Sequence, residues 1–257
     1  MNSKDSSRAP ISKAPALDDR FVRILEARHH DPFEVLGRHG DNGEEVFRAF
    51  LPQAETARIG AEGPEFTRIP GTDLFEARIR SGNAVPIHYA VNWIDKQGQT
   101  QTHIDPYTFE PFLTDFDLYL FGEGRHHHIY RILGAHAMTR DGIDGIGFAV
   151  WAPNAERVSV VGDFNGWDGR IHPMRSRGPS GVFELFIPGL TAGTYYKFEI
   201  RNRQNGAILL KSDPYGQRFE LRPGTASIVT GEDHYAWSDE AWLAQREKCD
   251  WLHAPMS

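Results

Sequence analysis

Phe47-Arg48-Ala49-Phe50-Leu51-Pro52-Gln53-Ala54-Glu55 returns later in the chain as Phe148-Ala149-Val150-Trp151-Ala152-Pro153-Asn154-Ala155-Glu156, at one constant offset. Outward from this pair the echo continues on both sides. Leu36-Gly37-Arg38-His39 is answered by Leu133-Gly134-Ala135-His136, Leu74-Phe75-Glu76-Ala77 by Val182-Phe183-Glu184-Leu185, and Asp105-Pro106-Tyr107 by Asp213-Pro214-Tyr215. Order is preserved throughout, which marks a duplicated structural unit. Each copy spans about a hundred residues and carries about seven short apolar or alternating runs broken by Gly, Pro, Asn and Asp, the size of one immunoglobulin-like sandwich. A solenoid repeat or propeller blade is far shorter. The expected fold is therefore mainly β: two tandem immunoglobulin-like β-sandwich domains joined by a packed linker with short helices.

The boundaries follow from where the texture changes. Residues 1–16 are polar and Pro-containing and read as a disordered tail. Residues 17–112 form the first module, opened by a helix on the apolar spacing of Leu17, Phe21, Ile24 and Leu25. Residues 113–128 form an apolar, packed linker, and residues 129–235 the second module. Residues 236–257 read as a helix capped by Ser238, followed by a lead-in to something further.

Bulk properties narrow the function. With 28 basic against 35 acidic side chains and no Lys/Arg stripe, the chain has no footprint for nucleic acid. No run is long and apolar enough to span a membrane, and the N-terminus lacks a signal-peptide core. The single cysteine, Cys249, has no internal disulfide partner, so the expected location is cytoplasmic.

Few motifs carry chemistry. His29-His30 and His126-His127-His128 suggest a metal, yet adjacent residues of an extended chain point to opposite faces, and no metal site is expected. No phosphate loop, nucleophile elbow or marked carboxylate pair is present, so no cofactor and no catalytic residue is expected. The exception is Gly162-Asp163-Phe164-Asn165-Gly166-Trp167-Asp168-Gly169, directly after a predicted strand. Asn165-Gly166 can supply positive φ angles, which puts Trp167 at or beside a loop tip. There its indole either stacks on the apolar face of a sugar ring or folds back as a lid on the core. In Thr194 to Ile200, period-two alternation puts Tyr196, Phe198 and Ile200 on the core side and Tyr195, Lys197 and Glu199 on the other. Lys197 beside an aromatic platform can donate to sugar hydroxyls, or be an ordinary solvated lysine.

His29-His30-Asp31-Pro32-Phe33-Glu34-Val35-Leu36-Gly37, the repeated Leu-Gly-x-His and Phe148 to Ala155 stretches, Val158 to Asp168, His172-Pro173-Met174-Arg175 and Lys211 to Tyr215 together resemble bacterial 1,4-α-glucan branching enzymes, over residues 20–257. The resemblance implies two carbohydrate-binding-module-like domains ahead of an α-amylase-type barrel. In the family, that barrel's Asp nucleophile and Glu acid/base cut an α-1,4 chain and transfer it to a 6-hydroxyl through a covalent glycosyl-enzyme. None of those residues is expected in this chain, since the first barrel strand would begin just after Ser257. The implied role is a glucan-binding and scaffold region, non-catalytic by itself. The implied partners are glycogen or linear α-1,4-glucan, bound weakly, and the parent's catalytic barrel. The family's glucan-binding positions fall on Asn165, Trp167 and Lys197. A second aromatic platform is replaced by Leu210, and the corresponding loop of the first module, Gly60 to Glu65, has no aromatic, which implies a scaffold. A free-standing glycogen-binding regulatory module and a protein-interaction sandwich pair remain the alternatives.

Overall fold

The computed structural model describes residues 17–80, 85–231, 236–250 and 253. The expected tail, 1–16, and the last lead-in residues, 254–257, lie outside that set. Helix α1, Asp19–Leu25, starts where the Asp18 carboxylate accepts the Arg20 amide at 2.9 Å. That bond satisfies one of the amides a helix start leaves free.

The first module contains β1 (Gly37–Asp41), β2 (Glu44–Phe50), β3 (Ala54–Ile59), β4 (Glu65–Arg68), β5 (Leu74–Arg80), β6 (Ala90–Asp95) and β7 (Thr100–Ile104). They pair antiparallel in the order β1-β2-β5-β4-β3-β6-β7. The row becomes two layers because β4 turns the corner, pairing with β5 through Thr67 and Arg68 and with β3 through Phe66 and Glu65. Phe47, Phe75, Tyr89 and Val91 fill the space between the layers.

Helix α2, Asp115–Gly122, lies in the linker and opens on a capping box between Thr114 and Asp117. The second module then repeats the first with β8 (Gly134–Arg140), β9 (Ile143–Trp151), β10 (Ala155–Gly162), β11 (Arg175–Ser176), β12 (Val182–Pro188), β13 (Tyr195–Asn202) and β14 (Ile208–Lys211). It adds β15 (Arg218–Phe219) and β16 (Ser227–Ile228). One sheet runs β11-β12-β9-β8 and the other β10-β13-β16-β15, with β14 also on β13. Phe148, Phe183, Tyr196 and Phe198 form its core.

The duplication reaches the buried polar groups. Tyr89 donates its hydroxyl to Asp105 at 2.5 Å, and Tyr196 donates to Asp213 at 2.5 Å. Each aspartate also accepts the amide two residues on, from Tyr107 and from Tyr215. Burial pushes Asp105 up to about 6, against the tyrosine bond, and raises Asp213 in the same way. His39 and His136 each place Nε2 3.0 Å from the carbonyl three residues earlier.

The linker is packed, and one carboxylate fixes it. Glu184, 2% exposed, accepts the amides of Phe112 and Leu113 at 3.1 and 2.9 Å on one oxygen and Arg177 at 2.5 Å on the other. Arg177 also donates to the Leu113 carbonyl at 2.5 Å. The two modules meet along the His29 to Phe33 segment. The Arg175 guanidinium lies 3.5 Å from the Phe33 ring centroid, and Tyr107 donates to the Ile171 carbonyl at 3.1 Å.

Helix α3, Glu240–Glu247, corrects one expectation. Ser238 is too early to cap it. Asp239 takes the cap position with ψ near 8° and makes no side-chain cap bond, because a cap aims its oxygen at the helix amides from an extended backbone. Among the described residues, no helix is long and apolar enough to cross a membrane.

Candidate glucan-binding site

The loop between β10 and β11 is built by crowding and hydrogen bonds. Gly162 has to be glycine, since a Cβ there would sit 2.2 Å from the Tyr195 carbonyl oxygen and 2.5 Å from the Phe164 ring. A single 3₁₀ turn, Asp163–Asn165, follows. The left-handed backbone falls on Gly166 (φ 60°) and Trp167 (φ 61°), one residue later than Asn165-Gly166 suggested. A tryptophan in that region is strained, and the surrounding bonds hold it there. The Trp167 amide donates to the Gly162 carbonyl at 3.0 Å, and its indole N–H to Asp163 Oδ1 at 2.8 Å. The ring stays 37% exposed.

Asn165 lies beneath the loop. It is 6% exposed, its Oδ1 accepts the Gly162 amide at 3.0 Å, and its Nδ2 donates to the Val160 carbonyl at 3.0 Å. The same Nδ2 is 3.0 Å from His172 Nδ1, which must therefore act as acceptor. Burial keeps the His172 imidazole neutral, with its pKa pushed down to about 3.

The returning leg of the loop lies on the outer face of the β10–β13 sheet. Gly169 leaves no space for a side chain, because a Cβ would be 2.0 Å from Glu199 Oε1. Its carbonyl accepts Ser159 Oγ at 2.6 Å and Arg157 at 3.3 Å. Arg157, 0% exposed, pairs with Glu199 at 2.8 Å and donates to the Ala27 carbonyl at 3.0 Å. Lys197 stands on this face, opposite Val161 in the strand register, half-buried, with Nζ donating to Thr225 Oγ1 at 2.6 Å. Tyr196 and Phe198 point into the core, as the alternation predicts. Leu210, on β14, pairs with Glu199 of β13 and is 53% exposed.

Thus Trp167 is held part-exposed on the loop and Lys197 stands half-buried on the sheet face, while Asn165 supports the loop from behind. Sequence reasoning missed Arg157, Ser159 and His172. Strand alternation alone puts Arg157 and Ser159 outside, and only the folded-back loop buries them.

Among the described residues, no group of three or more His, Cys, Asp or Glu side chains is arranged to hold a metal. His126 pairs instead with Asp117 at 3.0 Å.

Comparison with known proteins assigns both halves. Residues 18–107 match the alpha-1,4-glucan branching enzyme GlgB N-terminal domain, and residues 132–216 match carbohydrate-binding module 48, the isoamylase N-terminal domain. The chain is 63% identical over 241 residues to the 1,4-alpha-glucan branching enzyme GlgB of Methylococcus capsulatus, covering 94% of this chain and 32% of that protein. It is 53% identical over 254 residues to the enzyme of the same name from Nitrosococcus oceani, covering 98% and 34%. It thus spans about a third of the length of these curated relatives. A Bacillus subtilis type I pullulanase complexed with maltose is similar at 17% identity and a TM-score of 0.33 over 79% of this chain and 27% of that one, too distant to inform the site. With the two family domains in tandem on the two halves of its repeat and relatives more than half identical to it, the chain belongs to the 1,4-alpha-glucan branching enzyme family, whose N-terminal region it represents.

Proposed function

We propose that this chain is the non-catalytic front of an enzyme that forms α-1,6 branches in glycogen, and that its second sandwich holds an α-1,4-glucan on Trp167. The observation that carries the site is the Trp167 indole, kept part-exposed on a left-handed loop residue with its N–H fixed by Asp163. Strained backbone held by its surroundings is characteristic of ligand sites. The ring supplies a stacking face, and Lys197, with one proton on Thr225, keeps two for sugar hydroxyls. Asn165 serves the same site by holding the loop. Binding is weak, because one aromatic platform contributes roughly 1 kcal/mol. The modules dock on the parent's catalytic barrel, and the protein works in the cytoplasm, in keeping with its one free thiol.

The test is native electrophoresis in gels containing glycogen. The wild-type chain is retarded and Trp167→Ala migrates as in a plain gel. Equal retardation of the two would end the Trp167 reading. The pure chain leaves the iodine colour of amylose unchanged; a change in colour would end the non-catalytic reading.

A further inference from the structure

A cleft of about 450 Å³ lies between the two sandwiches. The first sandwich lines it with Trp93, Gln101 and His103, and the second with Asp163, Asn165 and His172. Its size is within the roughly 300–1,000 Å³ of small-ligand sites. Trp93 rests one flank on the first core and meets the His103 ring edge-on at 4.8 Å. Gln101 faces Trp93 across the β6–β7 register and is exposed. Among the described residues, neither the Gln101 amide nor the His103 imidazole has a hydrogen-bond partner.

The chemistry of the lining selects the ligand. Burial pushes His103 down to about 4 and His172 to about 3, the latter also through the charge of His103, so both rings are neutral at pH 7. A neutral imidazole can donate on one nitrogen and accept on the other. No lysine or arginine lines the cleft, and its one carboxylate, Asp163, already accepts the Trp167 indole N–H. Nothing there would neutralise a phosphate or an organic acid. An aromatic edge, a free amide and neutral imidazoles suit an uncharged, hydroxyl-rich ligand.

Asp163 joins this cleft to the loop surface, because it holds the Trp167 ring and is part of the cleft wall. We infer that an α-glucan chain stacked on Trp167 continues past Asp163 into the cleft, where Gln101 and His103 of the first sandwich bind its next sugar units. The ligand class rests on the Trp167 reading; the cleft residues are separate from it. The first sandwich is then part of the binding surface and lengthens the stretch of glucan that is recognised.

Calorimetric titration of the 257-residue chain with maltose and with maltoheptaose tests this, with folding of each variant checked by its melting temperature. The double variant Gln101→Ala/His103→Ala is expected to weaken maltoheptaose binding by about three- to tenfold, the loss of one or two hydrogen bonds, and to leave maltose binding unchanged. Trp167→Ala weakens both sugars. The His103 imidazole NMR signals should shift with maltoheptaose and not with maltose. Wild-type maltoheptaose affinity in the double variant, with loss in Trp167→Ala, overturns the cleft and leaves the Trp167 reading standing. The reverse pattern overturns the Trp167 reading and keeps the cleft as a site. A wild-type chain that binds neither sugar overturns both.

Discussion

The two sandwiches share seven successive strands and the same buried Tyr–Asp bond, yet they differ at the connection that follows the third strand. In the first, β3 passes to β4 through five residues, Gly60 to Pro64, with no aromatic. In the second, the equivalent passage from β10 to β11 carries a 3₁₀ turn, a left-handed tryptophan and a returning leg that buries Arg157 and Ser159. The core of a duplicated unit is constrained by packing, whereas a surface connection can grow without disturbing it. What one copy has beyond the other at this connection therefore lies in a loop, and the strand beneath adapted to it by burying a charge.

The largest expected effect tests that adaptation. Arg157→Ala leaves Glu199 partly buried without its partner and should cost about 3–5 kcal/mol in urea unfolding. Arg58→Ala in the first sandwich breaks an exposed pair with Glu65 and should cost about 0–1 kcal/mol. Similar losses for the two would mean that the loop does not seal Arg157 from water.

Next in size is the shared feature. Tyr89→Phe and Tyr196→Phe should each cost about 1–3 kcal/mol, since each leaves a buried aspartate one donor short. A clear disparity between the two would break the equivalence of the copies.

A smaller effect comes from pH at the seam between the sandwiches. The folded pKa of His103 lies below its unfolded value, so the unfolded chain binds the proton more readily and stability falls as pH drops from about 6.5 towards 4. Asp105 works the other way: its pKa is raised, and the stability it contributes at low pH is lost as pH rises through about 6. Between pH 7 and pH 5 the wild type should lose about 2–4 °C of melting temperature more than His103→Gln, the equivalent of about 1 kcal/mol. Equal losses would show that the His103 ring is open to water in the folded chain.

The smallest effect on folding is predicted where the effect on binding is greatest. Glycine tolerates the left-handed backbone of position 167, so Trp167→Gly should melt within about 1 °C of wild type while retardation by glycogen disappears. A drop of many degrees would show that the indole serves the core.

The sandwich architecture was legible because it rests on period-two alternation and on a repeat, both of which survive in a single sequence. Alternation placed Tyr196 and Phe198 inside and Lys197 outside, and the structure agrees. It failed at Arg157 and Ser159, where burial comes from a segment ten to twelve residues on. Asn165 was legible as a loop residue, but its place beneath the loop depends on His172 and Val160, partners that no local pattern points to. The inter-module cleft was invisible for the same reason, since residues 93 to 103 face residues 163 to 172 only in the assembled pair.

The Glu184 clasp has a consequence for how such a chain can change over generations. One buried oxygen receives the amides of two successive residues, Phe112 and Leu113, while Arg177 holds the carbonyl of the second. An insertion or deletion of one residue in the approach from Thr108 would carry those amides out of reach and strand a buried charge. The joint between the copies is thus fixed in length by its chemistry, whereas the β3–β4 connection, with Ala61 and Glu62 exposed, can take up added residues. Lengthening is permitted at the rim and forbidden at the joint, so change in length is steered to the outer surface of the sandwiches.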